Sequence, residues 1–132
     1  MADRLRPSFL DTTIIIAILR PDPVITTRIS TISAAVSHII IGELLYGAEI
    51  SGQTEQEVAK IQSLLAETRL LRCDWTTAGH YAKIKANLKQ RGELIPENDM
   101  WIAATAMHHN VVLITRDRRH FERVEGLLVE FW

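Results

Sequence analysis

The chain has 132 residues, of which 47% are hydrophobic and 23% charged, the profile of one globular domain (1–132) with enough material for a core that needs no staples. Its 15 basic and 16 acidic residues leave a formal charge of −1, which excludes the strongly basic class of nucleic-acid binder and leaves only a local patch for such a role. The single Cys73 rules out an intramolecular disulfide and suits a reducing compartment. No apolar run approaches the ~20 residues that span a bilayer, and "MADRLRPSFLDTT" lacks a signal-peptide pattern; the expectation is a soluble, cytoplasmic protein.

In chain order, "SFLD" (8–11) reads as a short strand and "TTIIIAILR" (12–20) as a helix or a strand-to-helix passage, broken by Pro21 and Pro23. Residues 24–34 read as helical, and "AVSH" (35–38) as a strand that runs into the helix "IIIGELLYGAEI". "TEQEVAKIQSLLAETR" (54–69) is a helix with Val58, Ile61, Leu64 and Leu65 three or four apart. "LLRC" (70–73) is a strand in which Cys73 is packed or idle. A helix follows over 76–92, with Tyr81, Ile84 and Leu88 on one stripe and Gly92 as its stop. Asn98 is the expected N-cap of a helix over 99–109. "VVLIT" (111–115) suits a fully buried strand, and "LLVEFW" closes the chain as another. Strands separated by helices imply a mainly parallel sheet between helical layers, an α/β/α sandwich.

Ligands of open parallel sheets bind outside the carboxyl ends of the strands. Three acids map to that edge: Asp11 ends the first strand, Asp117 lies just past "VVLIT", and Asp99 opens the helix leading into it. Glu43 follows "AVSH" on its helix, between Ile39–Ile41 and Leu44–Leu45. Each acid has a plain structural reading. Asp11 can cap the next helix, Asp99 can be a first-turn anion, and Asp117 can be a turn residue. Glu43 fits such a reading worst, because an unpaired carboxylate is costly to bury among isoleucines and leucines. Carboxylates that converge must either take up protons or share a cation, and Mg²⁺ is the hard, oxygen-seeking ion for such a cup.

At these residues the chain resembles the PIN-domain ribonucleases, and within them the VapC toxins of toxin–antitoxin pairs. Four segments carry the likeness: "FLDTTIII", "SHIIIGELLYG", "IPENDMWIAATA" and "VVLITRDRRHFERVEGLLVEFW". The resemblance implies a PIN-like α/β/α fold and cleavage of RNA dependent on Mg²⁺, with Mn²⁺ as a substitute. It implies that Asp11, Glu43, Asp99 and Asp117 form an acidic quartet, with Thr115 as an auxiliary polar group. It also implies a homodimer and a cognate VapB-type antitoxin that silences the toxin. Two positions depart from the family pattern. Thr13 stands where an Asn is common, which changes any contact made by that amide, and Ile40 stands where a Thr is common.

With that chemistry, Asp11, Asp99 and Asp117 are the expected metal ligands, and Glu43 the group that orients or deprotonates the attacking water. "RDRRHFER" (116–123) sets four Arg against Asp117 and Glu122, and Arg116 is the preferred phosphate contact; "KIKANLKQR" (83–91) is a second basic cluster or a solvated helix face. Adjacent His108 and His109 are expected to point apart rather than to hold a metal. Trp101 is a packing or dimer residue, Trp75 and Trp132 are core or edge packing, and Tyr46 and Leu45 are core or antitoxin-groove residues. Two rivals compete with the ribonuclease reading. One is an aspartyl-nucleophile phosphatase of the haloacid-dehalogenase type, which needs an acid where Thr13 stands. The other is a degenerate module that binds RNA or protein without cutting. There is no Walker loop, dinucleotide fingerprint or zinc-type Cys/His spacing.

Overall fold

The computed structural model describes residues 5–20 and 22–132, so the expected break at Pro21 lies outside the described residues. Five strands, β1 (Arg6–Leu10), β2 (Ile32–Val36), β3 (Arg69–Leu70), β4 (Val112–Thr115) and β5 (Val129–Phe131), form one sheet in the order β3-β2-β1-β4-β5. Every pairing is parallel. The helices are α1 (Thr12–Leu19), α2 (Pro23–Ile29), α3 (His38–Glu49), α4 (Thr54–Leu65), α5 (Trp75–Gln90), α6 (Glu97–His109) and α7 (Arg118–Phe121). Ser8, Phe9 and Leu10 are buried in succession, as are Leu113, Ile114 and Thr115. Successive strand residues point to opposite faces, so both faces of the central strands are covered and the chain is an α/β sandwich. No helix among the described residues is long and apolar enough to cross a membrane.

The topology positions everything that follows. The chain winds outward from β1 through β2 to β3, then returns to lay β4 against the other side of β1. The crevice between the carboxyl ends of β1 and β4 is therefore the switch point of the sheet, where such folds place their ligands. The ladder reaches one residue beyond β1, with the Asp11 N–H donating to the Ile114 carbonyl at 3.0 Å.

Several boundaries differ from the sequence reading. Residues 24–34 are not one helix: α2 ends at Ile29 and Ile32 already pairs with Arg6. The small residues of "ISAAV" carry no strong strand signature, and ladder pairing with β1 overrides their weak propensity. The strand stops at Val36, because the Ser37 hydroxyl accepts the Ile40 N–H at 3.5 Å as the N-cap of α3. The third strand is Arg69–Leu70 rather than 70–73, leaving Cys73 exposed with its sulfur 3.4 Å from the Thr105 hydroxyl. Helix α6 starts at Glu97, behind Pro96, so Asn98 lies in the first turn and is not its cap. Helix α5 does stop as expected, with Gly92 at φ +68, a conformation open to glycine.

Helix α6 forms the floor under the site. Met100, Ile102, Ala103, Ala104, Thr105 and Ala106 are all buried, and the small residues let α5 pack close across Ile84 and Leu88. Tyr81 of α5 stacks on Trp101 with ring centroids 4.0 Å apart. Trp75, expected to pack, is 92% exposed. The His108 and His109 rings do not point apart but lie 4.1 Å from one another, tied to the Thr77 hydroxyl and the Arg72 carbonyl. Leu113→Ala should cost about 2–5 kcal/mol in urea unfolding, whereas Trp75→Ala should stay within about 0.5 kcal/mol.

Candidate metal-binding site

Asp11 follows β1 and stands at the N-cap position of α1, but its side chain makes no cap hydrogen bond. It is only 5% exposed and is held from the side. The Thr115 hydroxyl donates to Asp11 Oδ2 at 2.6 Å and the Thr13 hydroxyl donates to the same oxygen at 3.1 Å. Each threonine also accepts a backbone N–H: Thr115 that of Asp117 at 2.9 Å, and Thr13 that of Arg116 at 3.0 Å. Two hydroxyls thus stitch the end of β1 to the turn after β4. Thr13, the departure from the family Asn, is a working contact here, and no acid stands where a phosphatase of the haloacid-dehalogenase type would need one.

Asp117 caps α7. Its Oδ1 accepts the His120 N–H at 3.1 Å, and its Oδ2 lies 2.7 Å from His120 Nδ1. The same ring nitrogen is 2.9 Å from Asp99 Oδ2, so the imidazole lies between two carboxylates. Asp99, Asp117 and His120 each offer a ligand atom, and these atoms all fall within 4.8 Å of one another. His120 went unremarked in the sequence. Its signal was a histidine three residues after the acid of "TRD", which faces back to the cap once a single helical turn forms.

Electrostatics tie the remaining acid to the group. Burial is the main cause that lifts the Asp11, Glu43 and Asp99 carboxyls above their ordinary range. After burial, repulsion from Asp11 and Asp99 raises Glu43, and repulsion from Asp11 and Asp117 raises Asp99 to about 6. Glu43 Oε1 is buried with no hydrogen-bond partner, and so is the Thr12 hydroxyl. The four acids foreseen from the sequence therefore share one field, although they come from a strand end, two helices and a turn. An all-oxygen set of clustered carboxylates with an orphaned buried oxygen suits a hard divalent cation, and His120 adds one nitrogen.

The cationic residues are less free than their count suggests. Arg116 does not reach into the acid cluster: its guanidinium pairs with Asp22 at 2.6 Å. Arg118 pairs with Glu122 at 2.9 Å and lies over the Phe131 ring. In the second basic cluster, Lys85 pairs with Glu97 at 2.6 Å and Arg91 with Glu93 at 2.9 Å. A groove of about 390 Å³ between α1, α3 and α4 runs past Thr12 and Glu43. A second hollow of about 340 Å³ reaches Glu43 from the side of Tyr46 and Asn98. Tyr46 is exposed, and Leu45 packs against the core.

A family model described as PIN domain matches residues 8–127. The ribonuclease VapC2 of Haemophilus influenzae is 38% identical over 126 residues, covering 93% of this chain and 96% of that protein. A tRNA(fMet)-specific endonuclease VapC of Salmonella typhimurium is 32% identical over 105 residues, covering 80% of each. The solved structure of DNA-bound VapBC from Salmonella typhimurium superposes with a TM-score of 0.90 at 30% identity, over 97% of this chain and 99% of the other. The chain belongs to the PIN-domain family and, within it, to the VapC ribonucleases.

The raised Asp99 carboxyl has a measurable consequence. A group with a folded pKa of about 6 against an ordinary 3.8 contributes stability while protonated, fully below the lower value, and loses it as pH rises through the upper one. Without added metal, the fold should therefore weaken between about pH 4 and about pH 6 through this group, by at most about 3 kcal/mol. Mg²⁺ is expected to raise the Tm of the wild type; Asp99→Asn should raise the Tm of the EDTA-treated protein at neutral pH and remove most of that expected gain. Differential scanning fluorimetry across that pH range, with EDTA and with Mg²⁺, reads both effects.

Proposed function

We propose that this chain is a metal-dependent endoribonuclease and the toxin of a toxin–antitoxin pair, cutting RNA at the acidic cluster until a VapB-type antitoxin binds it. The observation that carries the reading is the shared field of Asp11, Glu43, Asp99 and Asp117, in which burial and mutual repulsion lift three carboxyls at once. A degenerate binding module would have no use for that unfavourable arrangement. The names of the relatives, a ribonuclease and a transfer-RNA endonuclease, support the substrate class, and the VapBC complexes among structural neighbours support the partner. A homodimer in the cytoplasm completes the reading.

Asp11, Asp99 and Asp117 are the residues that would hold Mg²⁺, or Mn²⁺ in its place. When bound, the cation supplies charge neutralisation at the scissile phosphate and acidifies a neighbouring water. Thr115 and Thr13 fix the rotamer of Asp11 by donating to one of its oxygens, and Thr115 also anchors the backbone of Asp117. His120 spaces Asp99 from Asp117. Glu43 takes a proton from the attacking water, because burial makes its carboxylate a stronger base than an exposed one. Attack of that water on phosphorus forms a new P–O bond and breaks the P–O3′ bond. The proton restores the 3′-hydroxyl, and the downstream strand keeps a 5′-phosphate.

Purified protein should cut RNA in Mg²⁺ and stop in EDTA, leaving ends that a 5′-phosphate-dependent exonuclease degrades. Asp11→Asn and Glu43→Gln should each lower the rate by about a hundredfold or more, the usual scale of a lost acid–base or charge-stabilising group. Undiminished cutting in EDTA would refute the mechanism. Expression of the wild type should arrest growth, and Asp11→Asn should relieve the arrest.

A further inference from the structure

Beside the acid cluster lies an open cleft of about 480 Å³, walled by Thr13, Ile16, Ala17, Arg20, Asp22 and Arg116 among others. It is continuous with the cluster through Thr13, whose hydroxyl donates to Asp11 on one side and accepts the Arg116 N–H on the other. Two cationic side chains therefore line the space next to the proposed cutting point. Arg20 is exposed, and Arg116 spans the cleft to Asp22 Oδ2 at 2.6 Å.

That ion pair has an unusual anchor. Asp22 also caps α2, with Oδ1 accepting the Val24 N–H at 3.1 Å and the Ile25 N–H at 3.3 Å. The carboxylate is thus held at the start of α2 through one oxygen and presents the other to the guanidinium. Here a guanidinium N–H meets one carboxylate oxygen, and the same donor can meet a phosphate oxygen. The pair is nevertheless partly open, with Arg116 42% and Asp22 29% exposed at their side chains. Exposed pairs contribute little and exchange readily. A strand of RNA leaving the cluster would bring a phosphate to this spot, and phosphate contacts hold a substrate in register without reading its sequence.

We propose that this cleft is a phosphate subsite for the RNA strand that flanks the cut, in which Asp22 is an internal competitor that a substrate phosphate displaces from Arg116. The inference rests on the nuclease reading above and adds to it a built-in brake on substrate capture. Asp22 holds Arg116 in place and neutralised in the free protein, and release of the carboxylate is part of binding. Arg20 supplies a second charge on the same wall.

The test measures equilibrium binding, not turnover, in an Asp11→Asn parent with Mg²⁺ present and a short fluorescein-labelled single-stranded RNA as probe. Asp22→Asn keeps the amide oxygen that caps α2 and removes the charge, so the fold is retained. It should tighten binding by about two- to fivefold. Arg116→Ala should weaken binding and flatten the dependence of log Kd on log salt by about 0.7, the loss of one phosphate contact on a single strand. In the double variant the Asn substitution should bring no gain, because its benefit acts only through Arg116. If the parent binds RNA without cutting it but Asp22→Asn leaves Kd unchanged, or tightens it equally with Ala at 116, the subsite proposal is overturned alone. A parent that cuts RNA would instead overturn the role given to Asp11, and a parent that binds none would overturn the nuclease reading on which the proposal stands.

Discussion

A carboxylate placed at the carboxyl end of a strand that is covered on both faces cannot be hydrated freely, and the rest of the site is arranged around that constraint. Asp11 is nearly inaccessible because β1 is the central strand, with β2 on one side and β4 on the other. Its ionised form is supported by two threonine hydroxyls and opposed by burial, and burial prevails. Every further acid at the switch point adds repulsion to a group already short of solvent. Asp99 and Glu43 feel that directly, and both are raised. Such a cluster is tolerable with protons or with a cation, and at neutral pH a cation is the stronger relief.

The supporting residues keep the acids apart and aimed. Thr115 serves both an Asp11 oxygen and the Asp117 backbone, which ties the strand end to the turn after β4. His120 places a ring nitrogen between Asp99 and Asp117. Thr13 joins Asp11 to the backbone of Arg116, and through that residue to the cleft where Asp22 waits. Three polar side chains thus connect the acid cluster to the cleft walled by Arg116 and Asp22.

Much of the site was legible because its signals are local. Asp11 and Asp117 stand at strand ends, where turn and cap residues concentrate, and Glu43 is conspicuous as a charge inside an apolar run. Asp99 was legible as an acid in a first turn, although the helix begins two residues earlier than expected, behind Pro96. What escaped had no local signature. His120 acquires its role from a helix of four residues, too short to leave a periodic pattern. The first three residues of β2, 32–34, read as the end of a helix although 35 and 36 read as strand, because Ser33 and Ala34 carry little strand propensity and pairing with β1 decides their conformation. The basic clusters looked like free positive surface, yet four of their eight cations, Lys85, Arg91, Arg116 and Arg118, are paired with acids.

By itself, then, the order of residues determined the fold class and the alternation of strands and helices, and it marked four acids as candidates, since hydrophobic period and helix-end chemistry act over a few neighbours. Only the tertiary structure decided which acids repel one another, which hydroxyls hold Asp11, and that Arg116 turns to Asp22 rather than into the cluster. Those outcomes depend on through-space distances of a few ångströms between segments about a hundred residues apart, and on how completely water is excluded between them. Periodicity carries no record of either quantity.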